Sequence, residues 1–130
     1  MTKITSQQAR AIAGSFIAFA QAIGDYRIAT WGELSRAQVQ RLSDAQWTLL
    51  NYSDDLLLLS NQTIAAEIEE PLSRLRTLSE DIGKRIKNLK DVQRVIDVAG
   101  RLIDLGAALA YPDPVRIIKA LDALAGSFGK

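Results

Sequence analysis

The side chains best equipped for chemistry lie in three places. Arg94, Asp97, Arg101 and Asp104 recur at i, i+3, i+7 and i+10, which sets two cations and two carboxylates along one strip of a helix. Such a strip forms either a polar site between helices or a solvated charge ladder worth about 0.2–0.5 kcal/mol per pair; the ladder is the expectation. The segment EIEE (67–70), with Asp54 and Asp55, offers carboxylates of the kind that hold two irons in some helical bundles. Those centres also need an inward Glu-x-x-His pair. The chain has no histidine, so Glu70 with Arg74, Glu80 with Lys84 and Asp81 with Arg85 are read as i,i+4 pairs on solvated faces. In GKRIKNLKDVQR (83–94), Lys84, Arg85, Lys87, Lys90 and Arg94 crowd together, as if to meet phosphate or an acidic membrane. The same cations suit a helix C-terminus, and no aromatic residue interleaves them to stack on bases.

The absences exclude more than these clusters suggest. With neither cysteine nor histidine, the chain has no disulfide, no thiolate or imidazole metal ligand and no Ser-His-Asp or Cys-His nucleophile. What remains is carboxylate, lysine, arginine and tyrosine chemistry, or a hard cation held by oxygen. The glycines of GSFGK are not spaced as in a phosphate loop, and NYS and NQT, though they match glycosylation acceptors, fall in or beside a predicted helix. No catalytic residue, metal, cofactor or small-molecule ligand is expected.

Sixteen Lys and Arg stand against 15 Asp and Glu, with 5 basic and 5 acidic in residues 1–65 and 11 and 10 in residues 66–130, so the signs balance within each half. A net charge of +1 supplies no global basic field for displacing phosphate counterions, so no nucleic-acid partner is expected. At 130 residues, with 48% hydrophobic and 24% charged, residues 1–130 read as a single globular domain. The start, weakly basic MTKITSQQAR followed by apolar AIAGSFIAF and an Ala-x-Ala pair, has the outline of an export signal. Its alanine content favours a retained helix and a cytoplasmic chain. No run reaches the ~18 apolar residues of a membrane span.

Helical periodicity places these side chains. A first helix opens at TSQQ, with Thr5 and Gln8 at capping-box spacing, and runs to about Tyr26 along the seam Ile12, Phe16, Phe19, Ile23 and Tyr26. On its other side Gly14, Ala18 and Ala22 recur every four residues, which admits close approach of another helix. Ser35 with Gln38 and Ser43 with Gln46 repeat the capping-box spacing, predicting a short first turn and a restart near Ser43. The next helix carries two stripes, one through Leu42, Ala45, Leu49, Tyr52, Leu56 and Leu59 and one through Leu50, Leu57 and Ile64. Two stripes imply two neighbours. Trp47 is assigned to the core; Trp31 is open between core and interface.

SNQT breaks the helix, and Pro71 kinks the next or opens it. Leu72, Leu75, Leu78, Ile82, Ile86 and Leu89 make one seam, and Asp91 caps a helix over 92–110 with stripes through Val95, Val98, Leu102, Leu105 and Leu109 and through Val92, Ile96, Ala99, Ile103, Gly106 and Ala110. YPDP ends it, with Asp113 as N-cap and Pro114 in the first turn of a last helix that buries Val115, Ile118, Leu121, Leu124 and Ala125.

These readings converge on an all-α chain, an antiparallel bundle of four to five helices. They leave more apolar helix surface than one small bundle covers, above all in DDLLLL (54–59). The expectation is therefore a non-enzymatic protein-protein interaction module, an adaptor, regulator or small structural subunit. Its interface includes Gly14, Ala18, Ala22, Leu50, Leu57 and Leu58, and its partner is a second copy or another protein. The alternative is a membrane-active helical protein, such as a toxin component or its immunity partner, that releases apolar helices onto a bilayer.

Overall fold

The computed structural model describes residues 2–3, 6–59, 63–64, 69–89, 91–110 and 113–128. The proposed cap at Thr5, the break at Ser60–Gln62, the start of EIEE, Lys90 and the Tyr111–Pro112 step lie outside them. Among the described residues the chain is all-α, with six helices: α1 (Ser6–Ala29), α2 (Arg36–Leu56), α3 (Glu69–Glu80), α4 (Ile82–Lys87), α5 (Val92–Ala110) and α6 (Pro114–Ser127). One two-residue antiparallel pairing, β1 (Thr2–Lys3) with β2 (Thr63–Ile64), sets Thr2 opposite Ile64.

Local hydrogen bonds start the helices. At α2 the Ser35 hydroxyl accepts from the Gln38 N–H at 3.1 Å while the Gln38 side chain accepts from the Ser35 N–H at 2.8 Å, a reciprocal capping box. Asp91 accepts from the Gln93 N–H at 2.9 Å, and Asp113 from the Val115 N–H at 3.0 Å with Pro114 in the first turn. Pro71 lies in the first turn of α3, where its missing donor breaks no helical bond. There is no restart at Ser43. Gln46, the residue that would close a second capping box, instead accepts from Arg27 of α1 at 3.2 Å, and Leu42 and Ala45 are buried on either side of Ser43, so packing carries the helix through.

Helix α1 packs chiefly on α2, and on α3 and α4 along another side; α5 lies between α2 and α6. The core is built where the periodicity put it, from Phe16, Phe19 and Ile23 of α1, Leu42, Leu49 and Leu56 of α2, Leu75, Ile82 and Ile86 of α3 and α4, and Val95, Val98, Leu102, Leu105 and Leu109 of α5. The α3–α4 seam is continuous although the backbone bends at Asp81, whose carboxylate takes Arg85 at 3.1 Å. Glycine marks the closest approach. A Cβ on Gly106 would stand 2.6 Å from the Tyr52 ring and 3.0 Å from that of Phe16, so α5 meets α2 and α1 there without a side chain of its own.

Four expectations are corrected. Trp47 is not core but 65% exposed, because it falls on the side of α2 opposite Leu42, Ala45 and Leu49. The leucine run is not enclosed in a helix: α2 ends at Leu56, which is buried, and residues 57–59 tighten into a 3-10 turn with Leu57 and Leu58 exposed. In α6 the buried face is Ile117, Leu121 and Leu124, while Val115, Ile118 and Ala125 face outward. The four residues of the strip on α5 form no ion pair with one another; Arg101 and Arg94 instead donate to the carbonyls of Ala123 at 2.6 Å and Ser127 at 3.3 Å. These carbonyls lie toward the C-terminal end of α6, where cations meet the negative end of its dipole; that of Ala123 also accepts from the Ser127 hydroxyl at 3.1 Å. With Arg74–Asp122 at 2.9 Å, they fix the rotation of α6.

Gly100, on the exposed side of α5, has nothing within 4 Å of where its Cβ would be. Gly100→Ala is expected to stabilise the fold by about 0.5–1 kcal/mol, the entropic cost of glycine inside a helix, read as a higher urea midpoint.

Candidate functional site

Most large apolar side chains that the core leaves outside belong to one hairpin. Ile17 and Ile28 of α1, Trp31 in the turn that follows, Trp47 of α2, and Leu57 and Leu58 just beyond it are all exposed, Leu58 at 73%. Ile17 and Ile28 stand about three turns apart and so share the outer side of α1, which they hold with Gly14.

The six proposed interface residues divide. Gly14 faces open space and Leu57 and Leu58 are exposed. Leu50 is half-buried against the core and Ala18 half-buried on α1. Ala22 is buried and lines a hollow of about 290 Å³ with Gly83 and Lys84 of α4, so the row of small residues is shared between the chain's own packing and its surface. Residues the sequence reading did not include are Ile17, Ile28, Trp47 and Arg27. Their signal was available: Trp47 continues the polar line Arg36, Gln40, Asp44, Asn51 and Asp54, and a tryptophan in a polar line is an exposed one.

Arg27 joins the two helices at the closed end of the hairpin. Its Nη2 donates to Gln46, its guanidinium lies 5.9 Å from the centre of the Trp31 ring, and its buried Nε has no hydrogen-bond partner. Gly24 makes the place for Gln46, since a Cβ there would stand 2.6 Å from the Gln46 amide. Among the described residues no carboxylate lies within ion-pair distance of Arg27. A cation stacked on an exposed tryptophan is adhesive.

The charges of α2 run against its own dipole. Arg36 occupies the first turn and Asp54 and Asp55 the last, with no acidic residue in the first turn and no basic one in the last. Each such placement forgoes about 0.3–1 kcal/mol that the reverse arrangement would supply. Arg36, Arg41, Asp54 and Asp55 are exposed, and none takes part in the ion pairs of the described residues, Arg74–Asp122 and Arg85–Asp81.

Two other clefts bear on the question of chemistry. The larger, of about 600 Å³, is bounded by Tyr26, Thr30, Glu33, Lys87 and Asp91 at the end of the bundle. Burial holds the Tyr26 phenol above its ordinary range, with the negative charges of Glu33 and Asp91 acting the same way and a Thr30 hydrogen bond opposing; it is a neutral donor at physiological pH. The second, of about 170 Å³, lies between α1 and α3, where the buried Ser15 hydroxyl shares its one hydrogen between the Ala11 carbonyl at 3.1 Å and the Ser79 hydroxyl at 3.2 Å. Neither holds a nucleophile beside a base. Among the described residues no three carboxylates are grouped to hold a metal ion, and no helix is long and apolar enough to cross a membrane. The arrangement is equipped to bind through aromatic faces, aliphatic side chains and unpaired charges. No known protein family, curated protein or solved structure matches the chain.

Proposed function

We propose that this chain is a non-enzymatic helical interaction module, an adaptor, regulator or small structural subunit. It acts in the cytoplasm by docking another protein chain on the outer face of the α1–α2 hairpin. Its helices are taken as an antiparallel bundle in which α3 and α4 count as one bent rod and α6 as a short closing helix. The observation that carries the reading is the gathering of Ile17, Ile28, Trp31, Trp47, Leu57 and Leu58 outside the core on a single hairpin. Isolated exposed apolar residues are ordinary on any protein; two tryptophans with four aliphatic side chains on two adjoining helices, beside an arginine stacked on one ring, have the composition of a binding hot spot.

Amide hydrogen exchange along the hairpin, measured on dilute protein, on concentrated protein and in native cell extract, tests this. Slower exchange in α1 and α2 under one of the crowded conditions, lost in Trp47→Ala, is the expected result. Since the Trp47 ring is mostly in water, Trp47→Ala should shift folding stability by less than about 0.5 kcal/mol. Unchanged exchange in every condition would overturn the proposal.

A further inference from the structure

We infer that the outward face of α2 pairs with the same face of a second copy of this chain, the two helices running antiparallel and crossing at Trp47 on a two-fold axis. This rests on the docking reading above and names its partner. A two-fold interface requires one patch to complement itself when turned end for end. The outward face of α2 has that property. Eleven residues to either side of Trp47 stand Arg36 and Leu58, and seven to either side stand Gln40, which donates to Asp44 at 2.8 Å, and Asp54, so turning the helix end for end lays the half that holds Arg36, Arg41 and Asp44 against the half that holds Asp54 and Asp55. With the two Trp47 rings at the axis, Gln40 and Arg41 of one copy lie beside Asp54 of the other, and Arg36 lies about one helical turn from Asp55.

The charge pattern is otherwise unexplained. Arg36, Arg41, Asp54 and Asp55 are exposed and make no ion pair among the described residues, and Arg36 and the two aspartates sit at the ends of α2 where its dipole disfavours them. An antiparallel copy brings carboxylates to the N-terminal end of α2 and a guanidinium to its C-terminal end, correcting both at once. The exposed Trp31, before the basic end, and Leu57, after the acidic end, extend the apolar part of the face beyond the charges. A second copy supplies the complement to both ends of α2 from one and the same surface.

Charge reversal tests the pairing, read as solution mass by sedimentation equilibrium from micromolar to near-millimolar protein. Wild type is expected to pass from monomer to dimer. Arg36→Glu with Arg41→Glu, and separately Asp54→Lys with Asp55→Lys, should each weaken the homodimer at least about tenfold, because like charges then meet at both ends. An equimolar mixture of the two variants should form a heterodimer near wild-type affinity, since each end again joins opposite charges. The aspartate variant doubles as a folding control: lysines at the end of α2 favour its dipole, so its thermal midpoint should not fall while its dimer dissociates. A wild type monomeric throughout, or a dimer indifferent to both reversals, overturns the inference. Failure of the docking reading shows elsewhere, as hydrogen exchange in the hairpin that no condition slows.

Discussion

Phe16→Ala is expected to lower the free energy of unfolding by about 3–5 kcal/mol, a large part of the 5–15 kcal/mol typical of a domain this size. Phe16 is wholly buried on α1, with its ring 5.1 Å from Phe19 in an edge contact, 6.4 Å from Tyr52 of α2, and against the bare backbone of Gly106 on α5. Three helices therefore meet on one ring. Truncation removes transfer free energy and opens a cavity, and it also removes the two edge-to-face contacts, which add about 0.5–1.5 kcal/mol each beyond area burial. The hole cannot close easily, because Phe19, Ile23 and Leu49 are themselves held on all sides. The urea midpoint should fall with little change in slope, and the thermal midpoint should drop by roughly 10–20 °C. A loss under about 1 kcal/mol would show that the three-helix junction is not where the fold is held.

The parts of the fold legible in the sequence are those fixed by short-range bonds. Ser35 with Gln38, Asp91 with Gln93, and Asp113 with Pro114 each act within three residues, so type and spacing alone announce the start of α2, α5 and α6. The core stripes of α1 and α5 were legible for a similar reason: in each the apolar positions recur along one side at helical spacing. Ser43 with Gln46 has the same spacing as Ser35 with Gln38 and opens nothing, because Arg27, sixteen residues before Ser43, draws the glutamine away. In α6 two stripes one residue apart compete, and the one that holds Ile117, Leu121 and Leu124 is taken up by packing on α5 and α3. Such long-range contacts leave no mark on local pattern.

The proposed binding face was half legible for a different reason. The reading of small residues as an open side overlooked that Ala22 is used against α4, and the reading of Trp47 as core weighed its size above its angle. A tryptophan flanked at helical spacing by Asp44, Asn51 and Asp54 cannot face the same way as Leu42 and Leu49. What the sequence did carry was the surplus itself: Leu57 and Leu58 follow Leu56 too closely in the chain for a single core to hold all three, and the structure leaves those two outside.

Gly106→Val should destabilise the fold by about 3 kcal/mol, with the opposite sign to Gly100→Ala six residues earlier on the same helix. Both changes give α5 a better backbone former, a gain of up to about 1 kcal/mol for alanine. At Gly100 that gain is free because the space beyond it is empty. At Gly106 the first carbon alone arrives 2.6 Å from the Tyr52 ring and 3.0 Å from the Phe16 ring, closer than carbon atoms approach without repulsion. Tyr52 is half-buried and can tilt outward, so Gly106→Ala should cost about 1–2 kcal/mol net. The two methyl groups of valine reach Phe16 as well, which is enclosed and has nowhere to go, and overpacking of that kind costs about 1–3 kcal/mol or more. The contact can be isolated with a double-mutant cycle. Tyr52→Ala removes the ring that the new carbon strikes, so Gly106→Ala made in that background should be neutral or stabilising, a coupling of about 1–3 kcal/mol. Additivity of the two changes would mean that the strain enters through Phe16 alone and that α2 and α5 are not in contact at this point.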